Sequence, residues 1–282
     1  MHRRRPGAAL ASLALAATLG AAPGPAEEGF VSLFDGKNLD AFKIPEGDNG
    51  HWKILDGVID YDARSEAKGE KNLISRSEYG DFTLKLDWRI KETPYTNPNV
   101  PYVLPDGSHA RGADGKELKL ALPDSDSGVY LRDMAGKSQV NIWCWPIGSG
   151  EVYGYRMDKS QPASVRAGVT PKTQADKPVG EWNHFDITLK GDRLTVVLNG
   201  IAVIENAQLP NIPVRGPIAL QHHGGYRDAS SPARRASCSS ATSRSSGCPA
   251  RRPRPGSSST PPSSVERRAY TLPTPSPTIK AG

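Results

Sequence analysis

The chain of 282 residues carries 36 Lys and Arg against 30 Asp and Glu, a formal net charge of +6, but the excess sits at its two ends. Three basic residues precede position 27 and ten follow position 226, which leaves 23 bases against 28 acids, a net of −5, in residues 27–226. That mildly acidic body has no basic stripe and so excludes the nucleic-acid binders. It is long enough for one domain with a sizeable core.

Residues 1–26 read as an export signal. Arg3 to Arg5 are basic, Ala8 to Ala22 are small and apolar, and Pro23 to Ala26 offer a cleavage site. The apolar run falls short of the ~20 residues that cross a bilayer, and no later segment is longer. The expectation is an exported protein, periplasmic or extracellular, with no membrane span.

The body, residues 27–226, reads as a succession of short strands. Phe30 to Leu39 holds a strand and an Asp-Gly turn. His51 to Tyr61 is a hairpin across Asp56-Gly57. Asn72 to Ser75 is a short strand. Tyr79 to Ile90 places Phe82, Leu84, Leu86, Trp88 and Ile90 on one face, the period of a half-buried strand. Lys91 to Pro123, interrupted by five prolines and three glycines, reads as a long surface excursion, of the kind that is usually functional or mobile.

Asp124 to Arg156 is the richest stretch. Val129, Leu131, Val140, Ile142 and Val152 interleave with Tyr130, Gln139, Asn141, Trp143 and Tyr153. One face of such strands belongs to a core, and the other carries aromatics and amides. That face suits a carbohydrate, because rings stack on its C–H surface and amides bond its hydroxyls. Two ordinary sandwich strands would give the same alternation. Met157 to Val179 reads as a loop and Glu181 to Leu189 as a strand. Arg193 to Leu198 and Ile201 to Glu205 form a hairpin across Asn199-Gly200, and Gly216 to His223 is the last strand. No strong helical period follows the leader. The fold class expected is an all-β sandwich.

Cys144 is the only cysteine of the body. One cysteine there excludes an internal disulfide and a Cys-based zinc site, and its place between Trp143 and Trp145 reads as a buried free thiol.

From Arg227 the composition changes: of residues 227–282, 14 are Ser, 9 Pro and 9 Arg. Two readings stand. One is a disordered basic tail. The other is a shifted reading frame entered between about Tyr226 and Cys238. One set of codons for Cys238 to Cys248, read one base earlier, spells V/L-Q-F-R-N-I-E-I-K-R-L, an alternating strand.

Together these segments resemble the 3-keto-disaccharide hydrolase domain family. FVSLFDGKNLDAF resembles the family's opening "LF-G-L--W", with Phe42 in the place of Trp. HWKILDGVI resembles "W-V-DG-L", YGDFTLKLDWRI resembles "Y-DF-L--E-R", and DSGVYLR resembles "NSG-Y-R". GEWNHFDITLKGDRLTVVLNG and GPIALQHHG resemble "GEWN---I---G--I---LNG" and "G-I-LQ-HG". The match covers about residues 30–225, and QFRNI in the shifted frame is how the family's domain ends. The resemblance implies a concanavalin-A-like β-sandwich (jelly roll) that cleaves glycosides oxidised to a ketone at C3. Many members carry "YE-Q--D" after "SG-Y-R"; here Gln139 stands near the usual Glu, which puts a glutamate base in doubt.

Elimination from a 3-keto-glycoside needs a base, a group to hold an enolate and an acid for the leaving oxygen. His222 and His223 are the base candidates; they end a strand, so only one faces the site, and the other has an ordinary edge role. Glu151 is a candidate acid or base, or a solvated loop acid. Arg132 could hold an enolate oxygen or form a structural ion pair. Gln139, Asn141, Trp143 and Tyr153 are candidate substrate contacts. Asp124 and Asp126 cap a turn or hold a divalent cation, the only cofactor considered. The alternative function is a carbohydrate-binding module on the same sandwich. A nonfunctional product of a shifted gene is a third reading.

Overall fold

The computed structural model describes residues 30–62, 67–93, 95–134, 137–223, 238–241 and 278–280. The leader expected at 1–26 lies outside them, as does most of the tail.

The strands are β1 (Phe30–Ser32), β2 (Phe42–Lys43), β3 (Lys53–Leu55), β4 (Val58–Asp60), β5 (Leu73–Tyr79), β6 (Phe82–Ile90), β7 (Tyr95–Pro101), β8 (Lys119–Asp124), β9 (Asp126–Leu131) and β10 (Gln139–Trp143). Two short helices follow, α1 (Tyr153–Met157) and α2 (Ala163–Gly168). Then come β11 (Asn183–Lys190), β12 (Arg193–Leu198), β13 (Ile201–Gln208), β14 (Gly216–Leu220), β15 (Cys238–Ala241) and β16 (Thr278–Lys280).

Both turn dipeptides do what their chemistry dictates. Asp56 and Gly57 have φ of 52° and 76°, and Asn199 and Gly200 have 53° and 84°. Two consecutive left-handed residues give the type I′ twist that closes a tight hairpin, and they join β3 to β4 and β12 to β13.

The larger sheet runs β13-β12-β11-β6-β15-β4-β3 and the smaller β10-β9-β14-β5-β2. The inward faces of β6, β11 and β12 bury Leu84, Leu86, Trp88, Phe185, Ile187, Leu194 and Val196 against Val129, Leu131, Val140, Ile142 and Ile218 of the other sheet. This is the all-β sandwich, with strands alternating between core and surface.

Two features depart from the expectation. The excursion is a built arm: β7 and β8 pair antiparallel, with a register shift between Asn97 and Val100 around Pro98, the irregularity that proline imposes on a ladder. Within the tail, Cys238–Ala241 lies inside the larger sheet, pairing with β4 on one side and β6 on the other.

Candidate active site

The face of the smaller sheet turned away from the core is set by register. Gln139 pairs with Tyr130, Asn141 with Gly128 and Trp143 with Asp126, so these six share one side. Ala219 pairs with Tyr130, and Gln221, two residues on, donates its backbone N–H to Gly128 O at 2.8 Å. Gln221 and His223 therefore extend the same face.

An amide chain runs across it. Gln139 Nε2 donates to Gln221 Oε1 at 2.5 Å and to Ser127 O at 3.3 Å. Gln221 Nε2 donates to the Tyr130 hydroxyl oxygen at 3.3 Å. The chain crosses the sheet because position 128 has no Cβ; one there would collide with the Gln139 side chain and Val140 O. Tyr130 is 9% exposed, and burial, with lesser help from Asp126 and Glu70, pushes its hydroxyl above its ordinary value. It keeps its proton. With its oxygen accepting from Gln221, that proton is available to another acceptor.

At the rim, His223 Nδ1 lies 3.5 Å from Asp126 Oδ2, both side chains partly exposed. The neighbouring histidine takes the other side of the strand. His222 is 6% exposed, with its ring 4.9 Å from that of Tyr61 and 6.1 Å from that of Trp52. Its backbone N–H donates to Asn72 Oδ1. Of the two histidines, His223 faces the site and His222 packs in the core.

The remaining candidates divide by burial. Glu151 shares the outer face, because its backbone oxygen accepts from Asn141 N–H and Val152 pairs with the inward Val140. Its carboxylate is not solvated: it faces the guanidinium of Arg156, and neither side chain is exposed. Arg156 Nη1 also donates to His109 Nε2 at 2.9 Å and to Gly107 O at 3.4 Å, which ties the tip of the arm to α1. Arg132 sits past the opposite end of β9 from Asp126. Its guanidinium donates to Asp81, Gly191 O and Leu189 O, clamping turns away from His223.

Trp143 is 3% exposed. It stacks on Trp145 at 4.0 Å and packs with Val100, Leu120 and Leu122 of the arm. The open aromatic platform expected there is covered; Tyr153, 40% exposed, is the ring that meets solvent. Asn141 is 3% exposed and Gln139 7%. Both Asp124 oxygens are engaged, by Asn97 Nδ2 at 2.7 Å and Trp145 Nε1 at 3.1 Å. Among the described residues no group of three or more His, Cys, Asp or Glu is placed to hold a metal ion. Cys144 is partly buried, and burial first, with nearby Asp124 second, pushes its thiol up to about 12.

Gln221, Tyr130, Arg156 and His109 were not among the candidates from sequence. Gln221 was reachable, since it shares parity with His223. Arg156 and His109 were not, because a charge sealed under an arm leaves no periodic trace.

A family model, the 3-keto-alpha-glucoside-1,2-lyase-like domain, matches residues 29–231. The chain belongs to that family. Its architecture is the expected all-β sandwich of antiparallel strands, and its function is carbohydrate-acting and hydrolase-like. Among solved structures it is similar to two glycosyl-hydrolase candidates of Parabacteroides distasonis. One is 21% identical over 76% of this chain and 81% of the other, with a TM-score of 0.46. The second is 16% identical over 74% and 89%, with 0.44. It is also similar to the carbohydrate-binding module CBM66 of Bacillus subtilis, 14% identical over 75% and 96%, with 0.35. No curated protein matches the sequence. No helix among the described residues is long and apolar enough to cross a membrane.

Proposed function

We propose that this protein is an exported enzyme that cleaves 3-keto-glycosides by elimination and hydration. The pairing of His223 with Asp126 at the rim of the amide face carries this reading. A C3 ketone acidifies the C2–H bond. His223 takes that proton, and Asp126 orients the ring and stabilises the imidazolium. The electron pair forms the enolate, then the C1–C2 double bond, as the C1–O bond breaks. The leaving oxygen takes a proton and departs as the alcohol. Water then adds across the double bond, OH to C1 and H to C2, and gives the 3-keto-sugar. Tyr130, protonated and supported by Gln221, is the donor offered to the enolate oxygen.

The test is turnover of 3-keto-trehalose and 3-keto-glucosides by the mature protein, with His223→Ala and His222→Ala alongside, with added divalent cation and with EDTA. Release of a 3-keto-sugar, lost with His223→Ala and insensitive to EDTA, supports the reading. Sugar binding with no turnover would move the protein to the binding-module reading. Sensitivity to EDTA would add a cation that these residues alone do not explain.

A further inference from the structure

The His223–Asp126 pair lies where no strand ladder fixes the histidine. β14 ends at Leu220, and His223 follows past that end. Between them the backbone is held by single bonds. Gln221 donates its N–H to Gly128 O at 2.8 Å, and its carbonyl accepts from Ser127 Oγ at 3.0 Å. His222 donates its N–H to Asn72 Oδ1 at 2.9 Å. A side chain thus does at position 222 what a neighbouring strand does further up β14. Asn72 is itself fixed. Glu70 Oε1 accepts from the Lys71 and Asn72 N–H groups, each at 2.8 Å, and Lys71 O accepts from Trp52 Nε1 at 2.9 Å. The segment before β5 is therefore tied down where it presents its amide oxygen to the strand end that carries His223.

Asp126 is held from the opposite sheet. Tyr61, 2% exposed, follows β4, and its hydroxyl donates to Asp126 O at 3.3 Å. The same ring packs against His222 at 4.9 Å, so one tyrosine touches both segments that meet at the pair. That meeting has little slack. His223 Nδ1 and Asp126 Oδ2 stand 3.5 Å apart, already beyond the ~3.2 Å of a firm hydrogen bond, so a small displacement of either backbone separates them. A shift of ~1 Å in a catalytic group costs on the order of 10²-fold in rate. We infer that Asn72 and Tyr61 are positioning residues: Asn72, through the His222 N–H, and Tyr61, through Asp126 O, hold the base and its carboxylate together. The effect on catalysis rests on the 3-keto-glycoside reading; the effect on the geometry of the pair does not. The Asn72 bond is made to the backbone, so it survives His222→Ala.

Three variants isolate the two bonds. Asn72→Leu keeps the volume and removes the acceptor, and Asn72→Asp puts an acceptor back. Tyr61→Phe keeps the ring and removes the hydroxyl. In the first arm, kcat for 3-keto-trehalose, per folded protein, is expected to fall ~10–10²-fold in Asn72→Leu and Tyr61→Phe with KM nearly unchanged, and to recover in Asn72→Asp. A residue that only supports the fold would lower Tm and leave kcat where it was. The second arm reads the pair without turnover, by NMR of the histidine ring nitrogens. Asp126→Asn should shift the His223 resonances of the parent, and that response should be lost when Asn72→Leu or Tyr61→Phe is already present. Parental kcat in Asn72→Leu or in Tyr61→Phe overturns the role of that residue, and an Asn72→Asp protein as slow as Asn72→Leu overturns that of Asn72. If the parent turns over no 3-keto substrate, the proposed activity fails and the NMR arm decides alone: a His223 response lost in both variants supports the positioning, and one that persists overturns it.

Discussion

Glu151 and Arg156 face one another with neither side chain reaching solvent, and Arg156 carries the arm through His109 and Gly107. Taking both ions out of water is costly, and burial lowers the Arg156 guanidinium from its ordinary value. Removing one partner leaves the other as an uncompensated buried charge. Arg156→Met or Glu151→Gln is therefore expected to destabilise by about 3–5 kcal/mol, and the double variant by less than either. Urea denaturation of the three proteins measures this. Additive losses would mean that the pair is not the source of the effect.

The two histidines separate cleanly. His223→Ala should lower turnover by ~10²–10⁴-fold, the range for a lost general base, with thermal stability nearly unchanged, since the ring is partly exposed. His222→Ala should do the reverse, because it empties a site packed against Tyr61 and Trp52. Parallel measurement of kcat and Tm distinguishes them. Equal losses of turnover at both positions would end the assignment of His223 as the base.

Position 139 asks whether the expected glutamate is missing or replaced. Gln139 uses its Nε2 hydrogens on two acceptors, Gln221 Oε1 and Ser127 O. A carboxylate has no hydrogen to give them. Gln139→Glu should cost about 1–3 kcal/mol and should not raise turnover. A gain in turnover would transfer the base role from His223 to this position.

On the outer face of the larger sheet, His184 Nδ1 lies 2.6 Å from Asp87 and Nε2 lies 3.5 Å from Asp186. These carboxylates, Asp186 foremost, raise His184 to about 9, against the opposing effect of burial. A raised histidine contributes stability that is fully present below its unfolded value, near 6.5, and is lost as pH climbs through about 9. Asp186 is lowered chiefly by its hydrogen bond to His184, so its contribution holds above the ordinary aspartate range and is lost on acidification. The Tm of the parent should fall between pH 6.5 and 9 relative to that of His184→Gln. Parallel curves would refute the coupling.

Where local chemistry decides structure, the sequence was readable. The Asp56-Gly57 and Asn199-Gly200 hairpins and the alternation from Phe82 to Ile90 follow from φ preferences and burial alone. The arm was hidden because β7 carries Pro98 and pairs irregularly. The helices α1 and α2 were hidden because five and six residues are too few to show a helical period. The site divided in the same way. His223 and Gln221 follow from parity on one strand. The seclusion of Glu151 and the covering of Trp143 depend on what the arm and α1 lay over them, and no local pattern records that.

The tail offers the last test. The strand Cys238–Ala241 pairs Cys238 with Ile90, Ser239 with Arg89, Ser240 with Trp88 and Ala241 with Asp87. Residues opposite one another share a face, and on β6 Ile90 and Trp88, opposite positions 238 and 240, are buried while Asp87 and Arg89 alternate with them. The shifted reading would put Val or Leu and then Phe at these two positions. It would put Gln at 239 and Arg at 241, on the outer side, the Arg opposite Asp87. Apolar residues then meet the core and a cation meets a carboxylate, where the sequence as it stands supplies Cys, Ser, Ser and Ala. We therefore expect the frame-restored protein to be more stable by several kcal/mol, since burying a Phe and a Val or Leu contributes ~1.5–3 kcal/mol each. Resequencing the DNA from the codon for Tyr226 to that for Cys248 comes first. A continuous frame whose codons do not encode the alternating strand when shifted would refute the idea, as would a restored protein no more stable than the present one.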